Sequence, residues 1–174
     1  NEYSARLYND GEVQLYFNGN EKLNTVTDGI NLTGSLQFGD DTNTYLQRSA
    51  ADTLQLVTGG TAALTVTSSQ QIGIGTASPD TLLHLSGADT AVIRLENTDT
   101  SLTTNQIIGG LEFEKQDPSG AGAGVVGGVR MYSGVDGITT YLTLSTSNSS
   151  TNNEEHIRLE SDGKVGIGTS SVPT

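Results

Sequence analysis

One phrase occurs twice in this 174-residue chain. Gln71-Ile72-Gly73-Ile74-Gly75-Thr76-Ala77-Ser78-Pro79 returns as Lys164-Val165-Gly166-Ile167-Gly168-Thr169-Ser170-Ser171. The match runs upstream without a gap: Leu64-Thr65-Val66-Thr67-Ser68 aligns with Ile157-Arg158-Leu159-Glu160-Ser161 at the same Gly73-to-Gly166 spacing. Apolar falls on apolar, polar on polar and glycine on glycine. A strand–turn–strand unit that recurs at fixed separation predicts an elongated architecture built from repeats.

Composition points the same way. Only 33% of residues are hydrophobic and 5% aromatic, with no Trp and 22 Gly. That is too little bulky apolar volume for a thick core within one chain. Disorder is excluded because apolar and polar residues alternate instead of scattering. A chain that alternates well but carries little core gains burial by sharing it with copies of itself. The net charge of −12 excludes nucleic acid and anionic membrane surfaces, both of which need a Lys/Arg footprint. No apolar run reaches membrane-spanning length, so no membrane insertion is expected. With no Cys, the redox compartment is unreadable. Asn1-Glu2-Tyr3-Ser4 resembles no signal peptide and lacks an initiator Met. The chain reads as a segment of a longer polypeptide.

Strand signals run along the whole length. Val13-Gln14-Leu15-Tyr16-Phe17 alternates and ends at Asn18-Gly19, a hairpin signal. Asp-Gly turns recur at Asp10-Gly11, Asp28-Gly29, Asp136-Gly137 and Asp162-Gly163, each ahead of a short alternating run. No window shows a helical period with caps. Within Ile72-Gly73-Ile74-Gly75 the isoleucines take one face and the glycines the other, and a bare face admits another backbone. Gly73, Gly75, Gly166 and Gly168 are therefore expected at backbone-packing positions near a contact between chains.

Residues 88–160 read as a different kind of segment. They contain Ile93-Arg94-Leu95-Glu96 and end in the identical Ile157-Arg158-Leu159-Glu160, with longer strands between. Asp117-Pro118-Ser119-Gly120 is a type I turn signature, and the Ser/Thr/Asn tract from Ser145 to Asn153 is loop-like. The expected organisation is a β-repeat shaft over 1–87, an inserted antiparallel β module over 88–160, and the start of the next shaft repeat over 161–174.

Asn9-Asp10-Gly11-Glu12-Val13-Gln14-Leu15-Tyr16-Phe17-Asn18-Gly19-Asn20-Glu21-Lys22-Leu23, followed by Thr25 to Gly34, resembles a unit of tail fibres of tailed bacteriophages. Gly73-Ile74-Gly75-Thr76 with Ser78-Pro79 and Leu83-His84-Leu85 is similar to segments of the same proteins. The stretch Ile93 to Gly168 resembles modules that precede their C-terminal intramolecular chaperone. The likeness covers roughly residues 9 to 169. It implies an all-β, elongated, parallel homotrimeric fibre on the outside of a virion, serving host attachment. Its implied partners are copies of itself, other virion tail proteins, and host surface polysaccharide or protein. No cofactor is implied. The chaperone and its self-cleavage residues have no counterpart here, so no autoproteolysis carries over. The rival readings are a bacterial extracellular filament or adhesin, and a tailspike depolymerase.

The chemical motifs give little. Gly122-Ala123-Gly124-Val125-Val126-Gly127 matches G-x-G-x-x-G, but a strand follows where a dinucleotide site needs a helix. It reads as a flexible connection. Glu112 and Glu114 share a strand face at a spacing that glycosidases use; the plainer reading is a solvated outer face. Asp40-Asp41 and Glu154-Glu155 lack the loop spacing of a Ca²⁺ cage. His84 and His156 are the only histidines, and each reads as a surface or interfacial side chain. An enzyme is not expected, and no catalytic or metal residue is assigned. Alternation places Val129, Met131, Leu142 and Leu144 inward. It leaves Arg130, Tyr132 and Tyr141 outward, where they are the receptor-contact candidates: Tyr offers a stacking platform and a hydroxyl. The competing reading packs these faces against a neighbouring protomer.

Overall fold

A computed structural model describes residues 4–9, 11–120, 122–148 and 154–172. Asn1-Glu2-Tyr3, the Asp10 half of the first Asp-Gly turn, residues 149–153 of the polar tract and Pro173 lie outside the described residues. Among the described residues the chain forms fifteen strands and no helix.

The hairpins follow from local chemistry. Asn18 and Gly19 sit at φ 49° and 71°, the paired left-handed conformations of a type I′ turn, whose twist matches that of the flanking strands. Three meanders result. The first is β1 (Ala5–Leu7), β2 (Val13–Phe17), β3 (Asn20–Val26) and β4 (Gly29–Leu32), hydrogen-bonded in that order. The second runs β5 (Ser35–Gln37), β6 (Tyr45–Ala50), β7 (Thr53–Thr58), β8 (Thr61–Val66) and β9 (Ile72–Ile74), with β10 (Leu83–Leu85) added at its edge. The third is β11 (Ile107–Lys115), β12 (Gly124–Ser133), β13 (Thr140–Thr146), β14 (Glu154–Glu160) and β15 (Val165–Ile167). Neighbours are antiparallel except β9 and β10, which run parallel. The chain divides into two compact units, Asn1–Val92 and Ile93–Thr174. The first two meanders lie in the first unit and the third in the second.

The registers show that the three meanders are one design. Leu15, Leu23 and Leu32 lie side by side across β2, β3 and β4. Leu56, Leu64 and Ile74 do so across β7, β8 and β9. Leu144, Ile157 and Ile167 do so across β13, β14 and β15. Each row is followed by a β-bulge in which one strand carries an extra residue: Lys22, Ala63 or His156. The carbonyl of that residue accepts a hydrogen bond from just past the next strand: Thr33 N to Lys22 O at 3.0 Å, Gly75 N to Ala63 O at 3.1 Å, and Gly168 N to His156 O at 2.8 Å. Bulges strengthen local twist and pin register, so three bulges at one position fix three sheets in the same form.

The third meander is therefore not a module of another kind. Val129 beside Leu144 and Leu111 beside Val129 repeat Leu46 beside Leu56 and Leu36 beside Leu46. What differs is strand length and turn size. Residues 161–174 contribute β15 to this sheet instead of opening a separate one. The glycine-rich stretch 122–127, expected as a flexible connection, enters β12 from Gly124 onward. Gly127 and Gly128 serve the pairing there: a Cβ on either would stand 2.6 Å from a carbonyl oxygen, of Ser145 and of Leu111 respectively. The loop-like tract likewise begins later than expected, since Ser145 and Thr146 belong to β13.

Among the described residues only two hydrophobic side chains are buried, Val57 and Tyr141. Leu36, Leu56, Leu64 and Ile74 in the second meander are all exposed, as are Leu111, Leu144 and Ile167 in the third.

Candidate functional site

Each sheet has two unlike faces, and the third meander shows them most clearly. Its apolar face carries Leu111, Val129, Leu144, Ile157 and Ile167 in one row, with Met131, Leu142, Leu159 and Val165 in the next. Val129, Met131, Leu142 and Leu144, expected to point inward, all lie on this face. The alternation is as read from the sequence, but within one chain the face remains open. Ile167 is 76% exposed and Val165 55%.

The opposite face holds the three receptor-contact candidates, and two of them are not open to solvent. Arg130 is 3% exposed and Tyr141 6%. For Arg130 the cause is a set of glycines. Arg130 lies across Gly128, its neighbour on the same face, and opposite Gly110; a Cβ on Gly110 would meet the Arg130 Cγ at 2.8 Å. With no side chains there, the guanidinium folds down onto the sheet. Its Nε and Nη2 donate to Glu112 Oε1 at 2.9 and 2.8 Å, and Nη1 donates to Ser145 Oγ at 3.2 Å. Alternation locates a face but not whether long side chains on it lie flat.

Tyr132 stacks on Tyr141 with ring centroids 5.2 Å apart and planes 12° from parallel. The Arg158 guanidinium sits over the other side of Tyr141, 3.9 Å from its centroid. Glu155 holds Arg158 in a two-pronged pair at 2.7 and 2.8 Å, and Glu160 adds a contact at 3.6 Å. The Tyr141 hydroxyl donates to Asn105 Oδ1 at 2.7 Å. Hydrogen bonding to Glu155 raises the Arg158 pKa, and burial pushes the Tyr141 phenol up. Tyr132 is half-buried at the end of the stack. This cluster braces β12, β13 and β14.

Three of the four repeat glycines, Gly73, Gly75 and Gly166, pack against backbone of their own chain, while Gly168 has open space about it. A Cβ on Gly73 would strike Thr76 O, and one on Gly166 would come within 2.6 Å of Thr169 O. In both copies the chain turns back after the last strand and lays its Thr over the glycine. Gly75 and Gly168 hold φ of +75° and +67°, which side chains rarely adopt. Within the chain, the close approach at Gly73 and Gly166 is made by the turn that follows each strand. Thr76 Oγ1 accepts from Ser78 N, and Thr169 Oγ1 from Ser171 N, each at 3.1 Å.

The remaining candidates are not brought together. Glu112 is engaged by Arg130, while Glu114 accepts from Gln116 Nε2 at 2.9 Å. No group of three His, Asp or Glu residues placed to hold a metal occurs among the described residues. His84 Nδ1 accepts from Asp80 N at 3.3 Å, and His156 is the exposed bulge residue. Asp136 caps its own loop, accepting from the Ile138 and Thr139 amides and the Thr139 hydroxyl. Those bonds, the Thr139 amide first, lower its pKa to about 2. Among the described residues no helix is long and apolar enough to cross a membrane. In comparison with known proteins, no family model and no curated protein matches the chain.

Proposed function

We propose that this chain is a structural and adhesive segment of a fibre, built from parallel copies of itself and used for attachment to a cell surface. The observation that carries the reading is the pair of open apolar rows on repeated meanders. A row such as Leu36, Leu46, Leu56, Leu64 and Ile74 gains nothing by facing water. Burying it against two further copies supplies the core that one chain lacks, and repetition along the chain extends that core into a shaft. The resemblance to tailed-bacteriophage tail fibres is the ground for choosing three copies, a virion setting and a host surface as target. The acidic balance of 20 Asp and Glu over 8 Lys and Arg keeps such a surface soluble and discourages edge pairing.

The reading assigns no catalysis to the chain. Its work is to span distance, resist unfolding and present side chains. Electron microscopy of the purified chain tests it: uniform rods are expected, and isolated compact particles would refute a fibre. Binding of the labelled assembly to bacterial cells, competed by the unlabelled assembly, tests attachment.

A further inference from the structure

The second and third meanders agree strand for strand through β9 and β15. Thr65 pairs with Gly73 as Arg158 pairs with Gly166, and Val66 pairs with Ile72 as Leu159 pairs with Val165. The turns ahead of the two strands match as well. Thr67 N donates to Gln71 O at 3.0 Å, and Glu160 N donates to Lys164 O at 2.9 Å. The edges then part company. On β9 a parallel strand follows: Leu83 lies beside Ile72, His84 beside Gly73 and Leu85 beside Ile74. Ile72 N donates to Leu82 O at 2.8 Å, and Ile74 O accepts from Ser86 N at 2.9 Å. β15 is the last strand of its sheet.

We propose that the outer edge of β15 is an acceptor for a parallel strand of the β10 kind. The partner is an extended apolar–polar–apolar triplet in which the apolar residues fall beside Val165 and Ile167 and the polar one beside Gly166. Three features support that partner. By equivalence with Ile72 and Ile74, the Val165 N–H and Ile167 C=O point outward, so they match the groups that bind β10. Val165 and Ile167 are exposed, and flanking leucines would extend their rows as Leu83 and Leu85 extend those of β9. Gly168 keeps glycine at a left-handed φ with open space about it, whereas at Gly75 the carbonyl of Ser86 fills the place of a Cβ. That space fits a carbonyl arriving with the added strand. The main chain supplies the affinity and the alternate side chains the selectivity, as in other strand additions. This inference rests on the repeat and not on the fibre reading.

The test uses the full chain with a copy of residues Leu82–Gly87 joined directly after Thr174. That junction keeps the Ile72-to-Leu83 spacing for Val165. The control extension carries proline in place of the two leucines that would face Val165 and Ile167. Amide hydrogen exchange is read at Val165, with Ile72 as the internal reference. The expected result is slowing at Val165 by about tenfold or more in the first extension and none in the control, as a buried ladder bond requires. An equal rate in both, with Ile72 protected, overturns the proposal. So does an unprotected Ile72, which removes the template. Protection of Val165 in the unextended chain that grows with protein concentration assigns the edge to a second copy and overturns the proposed partner. Light scattering on the same samples reports the assembly state, so failure of the fibre reading registers separately.

Discussion

The second and third meanders share a backbone plan but fill their polar faces differently. In the second, Gln47 donates to Gln55 at 3.2 Å and Gln55 to Thr65 at 3.3 Å, a ladder of neutral side chains. In the third, the places of Gln47, Gln55 and Thr65 are taken by Arg130, Thr143 and Arg158. Two arginines call for acidic partners, and Glu112, Glu155 and Glu160 provide them. Tyr141 and Tyr132 fill the space beside them. The lesson is that bulge, turn and apolar row define the repeat, while the polar row varies freely. The unvaried apolar rows are where assembly is expected, and the varied polar rows are where copies take on separate character.

The largest effect should come from breaking what the meanders share. Leu144→Asp places a carboxylate in the apolar row. In one chain Leu144 is 40% exposed, so the fold should survive. In an assembly the buried, unpaired charge costs several kcal/mol at each copy. Light scattering should show dissociation, with the β circular dichroism retained. Leu56→Asp, at the matching place in the second meander, should act alike; unchanged assembly in both would break the comparison.

Next come the polar faces, where the two meanders should diverge. Glu112→Ala leaves Arg130 buried beside Ser145 without its carboxylate, which costs about 1–3 kcal/mol. Gln37→Ala, at the equivalent place in β5, removes an exposed side chain and should change stability by no more than about 0.5 kcal/mol. Denaturant unfolding measures both. Arg130→Gln, which copies Gln47, should be milder than Glu112→Ala.

The glycine pair sharpens the comparison further. Gly168→Ala meets only the left-handed backbone, at about 1–2 kcal/mol. Gly75→Ala meets the same backbone and also the Ser86 carbonyl, so it should cost more. Equal losses would mean that β10 does not hold its place on β9.

The smallest effect belongs to pH. The Asp136 carboxyl is held at about 2 in the folded chain, below its ordinary 3.8. A lowered carboxylate stabilises fully above the ordinary value and loses that contribution as pH falls through the folded one. Asp136→Asn should therefore flatten the stability profile between about pH 4 and pH 2 and leave its shape above that window unchanged.

The all-β plan was legible because Asn18-Gly19 and the alternating runs act locally, over a few residues. The repeat at Gly73 and Gly166 was legible because its residues are similar in type. The equivalence of all three meanders was not. Arg130 replaces Gln47, Gly166 replaces Asn31, and longer hairpins shift the spacing, so no sequence offset aligns them; only hydrogen-bond register does. The buried state of Arg130 and Tyr141 was hidden for another reason. Arg130 depends on Gly110 and Gly128 lying beneath a long side chain, and Tyr141 on Tyr132 and Arg158 covering its ring, cross-strand relations that alternation within one strand does not contain. The close approach at Gly73 was legible in the bare strand face, while its neighbour within the chain, Thr76, comes from a turn that the alternation does not describe.

The central claim is that the open apolar rows are closed by two further copies of the chain. Light scattering on the purified 174-residue chain tests it most directly. The account predicts a mass three times the 18.1 kDa of one chain, held on dilution into the nanomolar range. A well-folded species at 18.1 kDa would contradict it.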